Sequence, residues 1–218
     1  MLFRSPVVVA IIIAAVVVGD EVIKTLAERN VDRPGFAEIV LTPDERKSPV
    51  SSGGTFRYVL TEPEAIGTFD KAKKLFADYR DEAAMVELNR LRLSNASTGI
   101  KGKALGLTQY LREPSFLNLP DRFGYEDIRK EPALYEGVGV VWSGLPANIN
   151  DDADGTHFEL LVGYENRLKL QGIVKVVMNT AVKVEPDVPL EVLGRPRNLT
   201  DGTWYLEGIG IHQKQAGQ

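Results

Sequence analysis

The spacing of apolar positions changes twice along the 218 residues. Residues 6–18, PVVVAIIIAAVVV, carry no polar side chain at all. Further on, Ile66, Phe69, Leu75, Phe76 and Tyr79 follow helical spacing, and Leu88 and Leu91 continue the stripe. Thr61 and Glu64 form a T-x-x-E capping box with Pro63 in the first turn, which places the helix start. Ile100, Ala104, Leu107 and Leu111 make a second stripe, with Ser97 or Thr98 as its cap and Pro114 as its stop. The polar break Ser94-Asn95-Ala96-Ser97 separates the two, so residues 61–114 predict a helical hairpin. The period then becomes two. GVGVVWS, HFELLVGYE, GIVKVVM, PLEVLGR and TWYLEGIGIH are short extended runs divided by turn formers. Glycines inside them (Gly139, Gly163, Gly194, Gly208, Gly210) suit the bends of a small closed barrel. Five short strands with no helix long enough for parallel crossovers predict an antiparallel barrel over residues 125–213, with Tyr125 to Ile128 placed to plug one end. The fold class expected is α+β.

The N-terminal run has Arg4 before it and Asp20 and Glu21 after it, the layout of an export signal. As a helix its thirteen residues reach roughly 20 Å against a hydrocarbon core of roughly 30 Å. Val17 and Gly19 are small enough for the −3 and −1 positions of a cleavage site, whereas retention of residues 2–19 would make an anchor. Residues 1–30 are therefore expected to be a signal peptide or a membrane-anchor helix, with a buried strand as the alternative that the β-branched content favours. Between residues 31 and 60, FAEIVL and TFRYVL flank the turn-rich TPDERKSPVSSGG, which fits either a hairpin with a long loop or an irregular linker.

Some stretches carry a family resemblance. YEDIRKEPALYEGVGVVWSG is similar to the opening of OB-fold-like domains, and LQGIVKVVM, VEPDVPLEVLGRPR and WYLEGIGIHQ are similar to strands three to five of bacterial envelope domains of that class. NRLRLSNASTGIKGKALGLTQYL resembles a tetratricopeptide-like helical pair of the kind found upstream of such barrels. The resemblance implies a binding or assembly role in the cell envelope and supplies no catalytic residues.

Composition narrows the chemistry. The chain has no cysteine and two histidines, His157 and His212, which removes disulfides, thiolate metal sites, cysteine nucleophiles and histidine-rich centres. Its formal charge is −4. From Tyr125 onward nine Lys or Arg face fourteen Asp or Glu, the wrong sign for a phosphate-binding groove, so nucleic acid is not expected as a partner. Asn150, Asp152 and Asp154 alternate before Gly155 like the first half of a calcium loop, but Leu161 stands where the closing bidentate carboxylate belongs. A solvated acidic hairpin accounts for the same residues. No nucleophile elbow, phosphate loop or dinucleotide fingerprint is present, and no cofactor is expected. The function expected is non-catalytic: an envelope scaffold that contacts protein partners, tethered to the membrane by its N-terminal segment. Trp142, Tyr164, Arg195, Arg197 and Trp204 are the candidate contact residues by hot-spot type. Oligosaccharide binding by barrel aromatics is the alternative, and single-stranded nucleic acid the third.

Overall fold

The computed structural model describes residues 33–213, so the signal or anchor segment expected over residues 1–30 lies outside the described residues. The chain divides between Val40 and Leu41 into two units. In the first, Gly35 adopts a left-handed φ of 77° and opens one 3-10 turn, Phe36–Glu38. In the second, α1 (Pro43–Lys47) occupies part of the expected loop. Its cap explains it: Glu45 N–H donates to the Thr42 hydroxyl, the Thr42 N–H donates to the Glu45 carboxylate at 2.7 Å, and Pro43 is preset for the first turn. From Arg33 on, the 31–60 stretch is thus turns, short helices and the isolated bridges Val50↔Ala96 and Tyr58↔Ser94, with no strand hairpin among the described residues. No helix among the described residues is long and apolar enough to cross a membrane.

Three helices follow where two were expected: α2 (Glu62–Ala77), α3 (Asp81–Leu93) and α4 (Thr98–Leu107). The Thr61–Glu64 capping box forms at the start of α2, and Ser97 caps α4. The extra break falls at Tyr79, which takes φ 57° while Arg80 N–H reaches back to the Leu75 carbonyl at 2.9 Å. This is the reverse turn that glycine usually makes at a helix C-terminus. A tyrosine holds it with the Arg112 guanidinium 4.2 Å above its ring. Phe69, Phe76, Leu91, Ile100 and Leu107 are fully buried between the helices.

The barrel closes in the order β1-β2-β3-β5-β4, from β1 (Val140–Asp152), β2 (Gly155–Val162), β3 (Gly172–Met178), β4 (Leu190–Asn198) and β5 (Trp204–Gln213). Its sheet is mixed, not purely antiparallel as expected. An odd ring of strands cannot alternate direction at every seam, and the parallel seam is β3–β5, which is three residue pairs long. Every other seam is antiparallel. Alternate residues point inward, so Val140, Phe158, Leu160, Val176, Val192 and Leu206 build the interior. One end is plugged by α5 (Tyr125–Lys130), whose Tyr125 and Ile128 join the core. Gly172 makes room for that plug, since a Cβ there would stand 2.1 Å from the Tyr125 ring.

Helical layer and barrel are joined by buried polar groups of α3. The Asn89 side chain, 2% exposed, donates to the Leu134 and Glu136 carbonyls at 2.9 Å each, in the segment that leads into β1. The buried Glu82 carboxylate accepts the Gly139 N–H directly ahead of β1. Burial pushes the Glu82 carboxyl above its ordinary value of 4.5, against the pull of the Gly139 hydrogen bond and the Arg195 charge.

Two predictions follow from this seam. Asn89→Leu keeps the side-chain volume but strands two buried carbonyls, which should destabilise the fold by about 2–4 kcal/mol in urea unfolding. A loss below about 0.5 kcal/mol would show that water or a shifted backbone satisfies those groups. Glu82 adds a pH slope. Its folded carboxyl binds a proton more readily than the unfolded one, so its contribution is fully present below pH 4.5 and is lost as pH rises through the elevated folded value. Glu82→Gln retains an acceptor for Gly139 without the charge. Thermal unfolding should find it at least as stable as the parent at pH 7, with the difference shrinking at pH 4, and an unfolding temperature lowered at pH 7 would contradict the assignment.

Candidate functional site

The five residues expected to face a partner separate into two pairs and a lone tyrosine. Trp142 is 5% exposed and lies inside the barrel, which corrects its expected place on a binding face. Its indole N–H donates to the Phe123 carbonyl at 2.9 Å, and its ring packs edge-on against Tyr125 and Trp204, with centroids 5.6 and 6.1 Å away. Trp204 is half-buried against the same cluster, 5.9 Å from Tyr125. Three aromatics therefore close the plugged end and present no stacking platform. Tyr164 sits in the turn after β2, apart from the other four.

Arg195 and Arg197 do come together. A bulge at Leu193/Gly194 shifts the register of β4 against β5, Pro196 turns inward, and the two arginines share the outer face. Arg195 donates to Glu113 at 2.8 Å, and Arg197 donates to Glu207 at 2.7 Å with Glu136 nearby. They line a polar cleft of about 340 Å³ with Arg112, Glu82, Glu113, Met85 and Thr108. The Glu113 side chain is 81% exposed, so its grip on Arg195 is a surface contact. Glu207 is held below its ordinary value by Arg197, although burial alone works the other way.

The same cleft touches a second concavity. Between α3 and α4 runs an apolar groove of about 360 Å³, lined on one side by Met85, Leu88 and Arg92 and on the other by Lys101, Gly102 and Leu105. On α3 these positions recur every three or four residues, and on α4 Leu105 follows Lys101 and Gly102 by four and three, so each helix offers one stripe. Leu105 is 71% exposed at the rim, and an added Cβ at Gly102 would meet nothing within 4 Å. Met85 and Thr108 line both groove and cleft.

The groove was not singled out in the sequence because Leu88 counts there as part of a core stripe and Leu105 falls off the stripe of Ile100, Ala104 and Leu107. An apolar residue on the polar side of an amphipathic helix, three residues after a glycine, is the signal that was present.

The remaining candidates lie elsewhere. Asn150 and Asp152 sit on β1 opposite His157 and Gly155, and the Asp154 N–H donates to the Asp152 carboxylate at 2.9 Å. The acidic trio thus ties a tight hairpin, and no group of three or more His, Asp or Glu among the described residues is arranged to hold a metal ion. Glu159 accepts from Asn148 at 2.7 Å, Glu207 serves Arg197, and His212 lies 3.4 Å from Glu191. Ser143, Glu191 and His212 form a row across β1, β4 and β5, with the carboxylate between the other two. In that order the imidazole does not reach the hydroxyl as a base.

Comparison with known proteins bears on the two halves separately. Residues 117–212, the barrel with its plug, match the family described as Spirochaete C-terminal OB fold. Residues 48–108, which overlap the helical pair of residues 61–114 that carries the tetratricopeptide-like resemblance, match a domain of unknown function (DUF8514). No curated protein matches the chain. Among solved structures, the chain is similar to one described as "Structure and Conformational Change of a Replication Protein A Heterotrimer Bound to ssDNA", at 16% identity and a TM-score of 0.29, over 37% of this chain and 59% of that one. The chain thus spans less than two thirds of that protein's length. What the family match and the strand order support is an OB-fold barrel at residues 117–212, similar to the spirochaete family, after a helical layer.

Proposed function

We propose that this chain is a non-catalytic binding subunit that holds a protein partner in the groove between α3 and α4, with the OB-like barrel as its rigid base. The observation that carries this reading is Leu105, a large apolar side chain 71% exposed beside an apolar groove that is open to solvent. Helix grooves of this kind take apolar anchors spaced along a partner segment. Oligosaccharide or single-stranded nucleic-acid binding by the barrel is less well supported, because Trp142 and Trp204 are spent on the plugged end and the barrel region carries five more acids than bases. An extracytoplasmic location is part of the proposal and rests on the apolar run 6–18 behind Arg4.

Photocrosslinking in living cells tests it. A benzophenone amino acid at position 105 should join the chain to one defined protein in the membrane or extracytoplasmic fraction, and Gly102→Leu should abolish that product by filling the groove. A crosslink indifferent to Gly102→Leu would refute the groove as the docking site. Tight binding of an oligo-deoxythymidine at physiological salt, weakening steeply as salt rises, would replace this reading with the nucleic-acid one.

A further inference from the structure

Large apolar side chains stand in water on the loop between β2 and β3. Leu168 is 83% exposed, Leu170 45% and Ile173 50%, all within six consecutive residues. Ile173 pairs with Leu161 on the outer face of β2 and β3, next to the inward pair Leu160 and Val174. Tyr164 opens the loop, and its carbonyl accepts the Arg167 N–H at 3.0 Å. The Gln171 N–H closes it by donating to the Val162 carbonyl at 2.9 Å. Residues 166–171 are all exposed, so the two leucines stand on a convex tip and not in a recess.

Charge sets this tip apart from the rest of the barrel. Residues 163–175 carry Arg167, Lys169 and Lys175 against one acid, Glu165, whereas from Tyr125 onward nine bases face fourteen acids. Arg167 is committed to Asp187 at 2.7 Å. Lys169 and Lys175 make no ion pair among the described residues. The nearby acids have other places: Glu165 lines a recess with Ser143 and Pro189, and Glu159, opposite Lys175, accepts from Asn148 at 2.7 Å.

We infer that this loop is a membrane-surface contact. Leu168, Leu170 and Ile173 enter the boundary between headgroups and acyl chains, and Lys169 and Lys175 meet anionic lipids. Three observations select a bilayer as the occupant. Unpaired lysines beside leucines match a surface that is negative outside and apolar beneath, and the lysine stems let the charge stay at headgroup level. Tyr164 has one apolar and one wet end, as the same boundary favours. Four apolar or aromatic side chains are also far fewer than the roughly 20–30 residues a side that hold a stable protein interface. A bilayer demands no complementary shape, and a convex tip sinks into it with a strength set by buried apolar area and by charge. The inference is independent of the groove and of whether residues 2–19 anchor the chain.

The chain has no cysteine, so a fluorophore can be placed at one position. Full-length Leu168→Cys carrying nitrobenzoxadiazole is combined with vesicles of phosphatidylcholine and phosphatidylglycerol, with or without nitroxide-labelled lipid as quencher. The same dye on Asp154→Cys is the reference, because the eight residues of β2 set the two positions roughly 26 Å apart. The dye at 168 should shift to the blue and be quenched roughly threefold more than the dye at 154. Lys169→Gln and Lys175→Gln should each lower the inserted-to-free ratio roughly fivefold, the effect of one cation near an anionic surface. Leu170→Asn should lower it as well, with circular dichroism confirming that these variants keep the fold.

Quenching alike at 168 and 154 would mean that the chain is held at the bilayer by another part, and would overturn the inference. Equal quenching in vesicles of phosphatidylcholine alone, or indifference to both lysine substitutions, would overturn it by removing the anionic surface. A blue shift without vesicles that grows with protein concentration and is lost in Leu170→Asn would do so by making a second copy the occupant. Soluble polyphosphate that shields the dye as vesicles do would make the loop a site for any polyanion, and the membrane contact would fall.

Discussion

The structure turns on the way α3 is fastened to the chain ahead of β1. Asn89 and Glu82 each spend a buried polar group on backbone atoms of that approach, two carbonyls in one case and an N–H in the other. Such groups are costly to bury unless they are satisfied, so the fastening is specific as well as adhesive. It sets the register between a helical layer and a barrel that also meet at an apolar patch of Val86, Leu134 and Val138. Met85 projects between Glu82 and Asn89, and with Thr108 it lines both the groove and the cleft. A slip of one residue in this seam would turn Met85 away and separate the two concavities.

The barrel was legible in the sequence to the extent that its chemistry is local. Period-two alternation located all five strands, and Tyr125 to Ile128 stood out as a plug because an aromatic and an aliphatic residue lie three apart immediately before the first strand. Direction at each seam was not legible, because strand order is a property of the closed ring and not of any strand. The parity of five strands alone requires one parallel seam. Trp142 was misplaced for a related reason: alternation says which residues share a face, and an indole is equally at home on either. Its N–H found a carbonyl at Phe123, 19 residues back, a partner that no local pattern announces.

In the helical half, capping residues were the reliable signals. Thr61 with Glu64, and Ser97, mark helix starts because their side chains satisfy backbone donors within three residues. The break at Tyr79 was hidden because its left-handed turn is held by Arg112, far away in sequence, in place of a glycine. The arginine pair was chosen by residue type and did converge, but on a cleft whose third guanidinium and whose apolar neighbour were not foreseen. Those belong to other elements and meet the pair only through the seam.

Charge makes the last point. The chain is acidic as a whole, and so is its barrel region, yet the concavity at the junction gathers three arginines. Net charge governs long-range steering, whereas a partner at contact feels the groups within about one Debye length, roughly 8–10 Å. Arg195 and Arg197 are matched there by Glu113, Glu207 and Glu136, so the recess is an ion-pair network rather than a basic patch. Strongly acidic polymers such as nucleic acids thus meet an acidic surface that a paired recess does little to offset. The barrel's aromatics being turned inward acts in the same direction, since it withdraws the stacking surface on which a nucleic acid would rely. In the function proposed above, recognition moves from the barrel face to the groove between α3 and α4.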